Sequence, residues 1–413
     1  MKYFLVGIKG SGMAALAHIL LDKGHEVSGS DVDHYVFTQD SLLERSVKIY
    51  KFDEYDLKDI DVVIVGHSFY PFSSEVTKAL NLGKSVIEYH IFVSTLVNSR
   101  YSIAVSGSHG KTTSVGLLCE LMKDYNPSFL RGDGVGKWTD SKYFIFEACE
   151  YKNHFHVYKP DEIIILNIDY DHNDYFKTFD EYKSSFIEFS KRAKKRVYVN
   201  DECKYIKHKS IYFGDNSFKL NEDNSLIFKN KKIPNFKFNV TQKELIKNQL
   251  GLILCALNLG VKPMNIKKYL KQFKGVKRRS QEIIIKDDVF VDDYAHHPSQ
   301  IKVMLEEYKN KYPSKRIIAI FQPDRYSRIL QFKNELNKTL STADEAYVLP
   351  FPMMMKNDTS KEFDASIIGI EVLDEKKLIS KLKDTSNCVY LFFSSKDLSR
   401  IRNELMSFKF DIT

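Results

Sequence analysis

Cysteine is scarce in this chain, with five residues in 413, an odd number and no C-x-x-C pair. That count fits a reducing compartment and leaves no paired-thiol framework to organise the fold. No run of 18 apolar residues occurs, so no helix is expected to insert in a membrane. The first residues run straight into an apolar strand without a basic and apolar leader, so the expected location is the cytoplasm. Internal repeats are lacking too. Charge is not one-sided: 62 basic residues face 54 acidic ones, for a net charge of +8. The basic cluster Lys191–Arg196 reads as a solvated helix face. Acids are interleaved through most of the chain and no nucleic-acid motif accompanies the bases, so no nucleic-acid partner is expected. The remaining basic excess suits small anionic substrates. The length predicts about three domains of 100–200 residues, and a hydrophobic share of 43% is ample for packed cores.

What is present is phosphate-binding chemistry. Tyr101–Ser106 reads as a buried strand. It is followed by Gly107-Ser-His-Gly-Lys-Thr-Thr113 and the start of a helix. Backbone N–H groups of such a turn, with the positive helix end, face an anion. Lys111 neutralises the outer phosphates of a nucleotide triphosphate, and the hydroxyl of Thr112 reaches a magnesium ion. The loop is shorter than the usual P-loop, lacking its earlier glycine. Gly107, Ser108, His109, Gly110, Lys111, Thr112 and Thr113 are the expected nucleotide contacts.

A second glycine cluster opens the chain. Lys2–Val6 reads as a strand, then comes Gly7-Ile-Lys-Gly-Ser-Gly-Met13, an apolar helix and a second strand ending near Asp31. The glycines are spaced G-x-x-G-x-G, unlike the dinucleotide fingerprint G-x-G-x-x-G. The pattern supports a diphosphate held at a helix start by Gly10, Ser11, Gly12 and Met13. Beyond it, short apolar strands alternate with helices through the chain. They predict an α/β protein of three domains with mostly parallel sheets. Residues 1–98 form a Rossmann-like domain, 99–279 a central P-loop domain and 280–413 a second Rossmann-like domain. The polar stretch Gly214–Phe238 reads as surface hairpins, and Cys149, beside acids that suppress a thiolate, as packing.

Taken together, these motifs resemble the Mur ligases. Phe146-Glu-Ala-Cys-Glu-Tyr151, Asn167-Ile-Asp-Tyr-Asp-His172, Gly275-Val-Lys-Arg-Arg279, Asp292-Asp-Tyr-Ala-His-His-Pro298 and Phe321-Gln-Pro323 follow the two glycine loops in the family order. The Glu-Ala-Cys-Glu-Tyr variant is similar to the Gram-positive form of the branch that adds L-alanine to UDP-N-acetylmuramate. The resemblance implies ATP-dependent activation of a sugar carboxylate as an acyl phosphate, then attack by an amine, in peptidoglycan precursor synthesis. It implies ATP and Mg2+, with Thr112, Glu147 and His172 on the metal. Asn248, Arg279 and Asp293 would contact ATP. Glu150, Tyr294, His296, Arg325 and Arg328 would meet the substrates, the two arginines holding the amino acid's carboxylate, a task suited to guanidinium. Lys111, Glu147, His172, His296, Arg325 and Arg328 form the expected catalytic set, in a monomer or weak dimer.

The sequence departs from the family pattern in places. Leu245 stands where an asparagine is usual, and Asp324 replaces the histidine after Phe-Gln-Pro. Ser394-Ser-Lys396 replaces a glycine-rich turn, and Pro350-Phe-Pro-Met-Met-Met355 replaces a glycine-containing stretch. Alternatives therefore stay open at this point: a related ligase using another amino acid or a recycled peptide, a nicotinamide-dependent oxidoreductase, or a non-catalytic nucleotide-binding paralogue.

Overall fold

A computed structural model describes residues 1–410 apart from 72, 173–174, 239, 277–278, 325 and 353–363. It contains three open sheets. The first is wholly parallel, formed by β1 (Lys2–Val6), β2 (Glu26–Ser30), β3 (Lys48–Tyr50), β4 (Val62–Val65) and β5 (Ser85–Glu88), in the order β3-β2-β1-β4-β5. Strand order reverses between β1 and β4. Outside the carboxyl ends of those two strands lie Gly7 and Gly66, where ligands bind in such sheets.

The second sheet has seven strands: β6 (Tyr101–Ser106), β7 (Ser128–Leu130), β8 (Gly136–Lys137), β9 (Tyr143–Glu147), β10 (Glu162–Ile165), β11 (Arg196–Asn200) and β12 (Ser210–Phe213). Their order is β12-β11-β10-β6-β9-β7-β8, with only the β7–β8 pair antiparallel. The central strands are buried on both faces and read as continuous apolar runs, as parallel strands covered by helices must. The third sheet holds β15 (Gln281–Ile285), β16 (Asp288–Asp293), β17 (Arg316–Phe321), β18 (Glu345–Val348) and β19 (Cys388–Phe393), in the order β15-β16-β19-β17-β18. Alternate residues of β16 serve opposite faces. Val289 and Val291 join one core, and Phe290 joins the other.

The described residues fall into two compact units, 1–239 with 245–273, and 240–244 with 274–413. The first unit contains two sheets because they share one core. Leu5, Ala15 and Leu16 pack in the same cluster as Phe144, Phe146 and Ile165. Each fully buried phenylalanine contributes roughly 2–3 kcal/mol. Glycine at 136 allows the approach, since a Cβ there would lie 2.0 Å from the carbonyl oxygen of Ala15. At the rim, Trp138 N–H donates to Asp22 Oδ2 at 2.8 Å.

β10 ends at Ile165, so Asn167 and His172 lie in the loop beyond it. One detail differs from the sequence reading. In the stretch Gly214–Phe238, the hairpin of β13 (Leu226–Phe228) and β14 (Lys231–Ile233) is present, but Leu226, Ile233 and Phe236 are buried against the sheet. The lysines and asparagines between them hide that apolar anchor. Of Pro350–Met355, residues 353–355 lie outside the described set.

Candidate functional site: two glycine loops and a buried lysine–glutamate pair

The turn after β6 takes its shape from two glycines. Gly107 (φ +142°) presses so close to the next loop that a Cβ would be 3.1 Å from the carbonyl oxygen of Asn167. Gly110 (φ +80°) starts the helix Lys111–Leu121 from a left-handed conformation. Asn167 clamps the loop between them. Its Oδ1 accepts from His109 N–H at 2.8 Å, and its Nδ2 donates to His109 O at 3.1 Å. Asn248, on the helix Lys243–Asn258, lies over Gly110, with Oδ1 accepting from Asn167 Nδ2 at 3.4 Å. Thr113 is half-buried in the first helical turn.

Lys111 folds back over this loop. Its ammonium donates to Gly107 O at 2.5 Å and Ser108 O at 3.2 Å, and reaches Glu150 Oε2 at 2.9 Å. Glu150 is completely buried. Its Oε1 also lies 3.4 Å from His172 Nε2 and accepts from Tyr182 O–H at 3.3 Å. Tyr182 O–H shares a 2.8 Å hydrogen bond with Ser108 Oγ, tying the helix Phe179–Ser190 to the loop. Burial disfavours both charges of the pair, but the pairing wins on each side. Glu150, beside Lys111 and His172, is held below the usual carboxylate range. Lys111, attracted by Glu150, Cys149 and Glu147, is held above the usual lysine value.

Glu147 is the last residue of β9. Its Oε2 accepts from Thr112 Oγ1 at 2.7 Å and from Gly132 N–H at 3.1 Å. A hydroxyl and a carboxylate side by side at the start of the helix suit a hard cation that keeps several waters. His172 has positive φ (+56°), and its Nδ1 is buried without a hydrogen-bond partner. Among the described residues no group of three or more His, Cys, Asp or Glu is arranged to hold a metal. The pair Thr112 and Glu147 nevertheless fits magnesium, which needs few protein ligands.

At the first loop, Gly10 caps the helix Ser11–Asp22, and its N–H donates to Gly7 O at 3.0 Å. Ser11 is half-buried at the helix start. Gly12 lets Tyr89 approach, since a Cβ there would lie 2.6 Å from the Tyr89 hydroxyl oxygen. Met13 is buried in the shared core, so its side chain serves packing. Lys9, singled out by no motif, is buried and donates to the carbonyls of Val32 and His34. Its own N–H is held by Asp31 at 2.6 Å.

In the second unit, the residues after β16 gather. Arg279 lies 4.0 Å over the Tyr294 ring, and the His296 ring meets Tyr294 edge-on at 5.2 Å. Asp293 accepts from Ser280 N–H and Ala295 N–H, each at 2.8 Å. Burial raises its carboxyl despite Arg279 nearby. After β17, Asp324 accepts twice from Arg328 Nη1 at 2.9 Å and once from Ser395 Oγ at 2.8 Å. Burial opposes the Asp324 charge, but Arg328 and then His296 lower its carboxyl. Arg325 lies outside the described residues.

Several of these groups escaped the sequence reading. Asn167 stood inside a quoted motif without being singled out. Tyr182 and Gly132 carry no sequence signal, because their roles come from separate elements that only the fold brings together. Cys149 is exposed rather than packed in the core.

Three open α/β sheets, two of them with glycine turns that open helices at Gly10 and Gly110, define a multidomain α/β protein. Three family models match in succession: "Mur ligase family, catalytic domain" over residues 2–101, "Mur ligase middle domain" over 105–253 and "Mur ligase, glutamate ligase domain" over 278–389. The chain belongs to the Mur ligase family, the ATP-dependent ligases of peptidoglycan synthesis. Among solved structures it is similar to the UDP-N-acetylmuramate-alanine ligase MurC of Thermotoga maritima, with a TM-score of 0.81 and 24% identity, covering 99% of this chain and 98% of that one. It is also similar to the murein peptide ligase of Psychrobacter arcticus (TM-score 0.72, 21% identity, 100% and 99% covered). A third is the pseudomurein peptide ligase type C of Methanothermus fervidus (TM-score 0.64, 18% identity, 98% and 99% covered). At these identities the likeness is one of fold. No described helix is long and apolar enough to cross a membrane.

Proposed function

We propose that this protein joins L-alanine to the carboxylate of UDP-N-acetylmuramate at the expense of ATP, in the cytoplasm, as a monomer or weak dimer. The observation that carries this reading is the grouping of Lys111, Thr112, Glu147 and Glu150 at the edge of the second sheet, in one unit with the Gly10–Met13 helix start. The helix start takes the diphosphate of the sugar nucleotide, and the loop 107–113 takes ATP.

A carboxylate is a poor electrophile, so the first step makes it one. A carboxylate oxygen attacks the γ-phosphorus, ADP departs, and an acyl phosphate forms. Lys111 leaves Glu150 for the phosphate oxygens and offsets their charge as it moves between the two partners. Thr112 and Glu147, with His172 as the family resemblance implies, would hold Mg2+, which supplies charge neutralisation on the phosphates when bound. The loop's N–H groups, held by Asn167 and Gly107, orient the nucleotide, and Asn248 lies where its base side approaches. In the second step the amine nitrogen attacks the acyl carbon, and inorganic phosphate leaves. Arg328, oriented by Asp324, which Ser395 holds in turn, and Arg325 hold the amino acid's carboxylate, while Asp293, Arg279, Tyr294 and His296 line the same sheet edge.

A second reading has a specific observation behind it. Asp324 already engages Arg328 from within the chain, which favours a related ligase taking another amino acid or a peptide. Phosphate release with magnesium-ATP and UDP-N-acetylmuramate, run with single amino acids and with a recycled peptide, separates the two. Release that requires both the sugar nucleotide and L-alanine supports the first. Release with another amine supports the second. No release with any of them counts against both.

A further inference from the structure

Three histidines outside the phosphate loop converge on one another. His67 opens the turn His67–Phe69 after β4, His90 is in the helix Tyr89–Ser99 after β5, and His154 is in the segment Tyr151–Val157 after β9. The ring centroids of His67 and His154 are 4.4 Å apart, and those of His90 and His154 are stacked at 4.5 Å. Lys152 Nζ lies 2.9 Å from His67 Nε2, and Glu88 Oε2 lies 3.8 Å from His90 Nδ1. Tyr151 completes the titratable groups around them, 6.5 Å from both His67 and His154. His67 Nδ1 is buried with no hydrogen-bond partner.

The backbone under this cluster is unusual. Lys152 and Asn153 take φ of +52° and +60° in succession. Residues with side chains seldom adopt this region. The conformation sets the Lys152 ammonium against His67. A metal centre is not what results. The stacked rings of His90 and His154 do not aim their nitrogens at a common point, and among the described residues no group of three is arranged for a metal.

Position gives the cluster its use. Phe69, from the same turn as His67, fills the space over Gly7, where a Cβ would be 2.4 Å from its ring. On the other side, Tyr151 packs 4.8 Å from His172, which faces Glu150. The cluster therefore borders both the glycine turn and the phosphate-loop acids. A sugar-nucleotide acid is anionic at its diphosphate and at its carboxylate, and it must run between these two places.

We propose that His67, His90, His154 and Lys152 form an anion subsite that receives the sugar-nucleotide acid between the glycine turn and the phosphate loop. This rests on the sugar-nucleotide reading given above. Burial first, and then neighbouring cations at His67 and His154, keep the imidazoles below the ordinary histidine range, His154 down to about 4. Glu88 opposes this at His67 and His90. An arriving anion favours the imidazolium, so a ring nitrogen takes a proton from solvent as the ligand binds. No other bond forms or breaks.

Calorimetric titration of the full chain in buffers of differing ionisation enthalpy, near about pH 6.5, tests this. The ligands are UDP-N-acetylmuramate, UDP-N-acetylglucosamine, which lacks the acid, and ATP. Wild type is expected to take up as much as about one proton with the sugar-nucleotide acid. His67→Gln, His154→Gln and Lys152→Met are expected to weaken that ligand roughly tenfold and reduce the uptake, with ATP affinity unchanged. Uptake with both sugar nucleotides supports the subsite and assigns the diphosphate as its anion. Uptake with the acid alone supports it and assigns the carboxylate. Tight binding without proton uptake, unaltered in the variants, overturns the subsite and leaves the proposed function standing. Absence of binding by either sugar nucleotide to wild type overturns both.

Discussion

Lys111 Nζ lies 2.9 Å from Oε2 of Glu150, a carboxylate with no solvent exposure. Lys111 thus has a structural partner as well as the chemical task proposed for it. Lys111→Ala is expected to remove the charge that the proposed turnover needs and to leave Glu150 buried without its ammonium partner, beside only His172 and Tyr182, a change worth about 3–5 kcal/mol. The double variant Lys111→Ala/Glu150→Gln is expected to recover most of that stability while staying inactive. Denaturant unfolding beside phosphate-release assays reads both effects. Equal stability of the single and double variants would remove the pair from the account of the fold.

The same pair gives the protein an acid limit. Glu150's carboxyl is depressed in the folded state because Lys111 and His172 outweigh the burial that opposes them. Such a group contributes stability above its unfolded pKa of about 4.3 and loses it as pH falls through the lower folded value. Lys111 is raised, so its share is present below about 10.4 and disappears only at strongly alkaline pH. Unfolding free energies measured from about pH 7 down to about pH 3 should therefore fall more steeply for wild type than for Glu150→Gln. Superimposable profiles would contradict this.

Gly132 guards the Thr112–Glu147 contact. A Cβ there would lie 2.3 Å from Oε2 of Glu147 and 2.9 Å from Oγ1 of Thr112. Gly132→Ala is expected to displace that carboxylate and to raise the magnesium needed for half-maximal phosphate release roughly tenfold. Titrating magnesium at saturating ATP provides the check. An unchanged requirement would argue that Glu147 does not meet the cation.

Asp324 neutralises and orients Arg328, and both side chains are nearly buried. Asp324→Asn is expected to cost about 3 kcal/mol, because the guanidinium loses its counter-charge in place. If Arg328 binds the incoming carboxylate, KM for the amino acid should rise roughly tenfold while KM for ATP stays put. Steady-state kinetics with each substrate varied in turn makes the distinction.

Much of the architecture was legible because parallel strands covered by helices carry long apolar runs, as in Val62–Val65 and Tyr143–Phe146. The strand–turn–helix shape of residues 101–121 was legible because strand, glycine turn, lysine and helix are contiguous. The sharing of one core by two sheets was not legible. It depends on Gly136 passing under Ala15, residues more than a hundred positions apart. The network around Lys111 was hidden for the same reason. Glu150, Tyr182 and Asn167 come from separate elements, and only folding brings them to one loop. The histidine cluster is drawn from three segments and has no spacing rule at all.

Tyr89 carries a consequence for what this enzyme accepts. Its hydroxyl rests on Gly12 at the first helix start, and its acidity is lowered by burial and by the nearby charge of Glu147. One ring therefore stands between the Gly12 helix start and the charge of Glu147, inside a unit whose two sheets share a core. Those two places are held at a set separation, like jaws locked on a gauge. On the function proposed above, a substrate would be sorted by length before any chemistry begins: an acid carried on a shorter or longer arm would be out of register, however well its nucleotide is held.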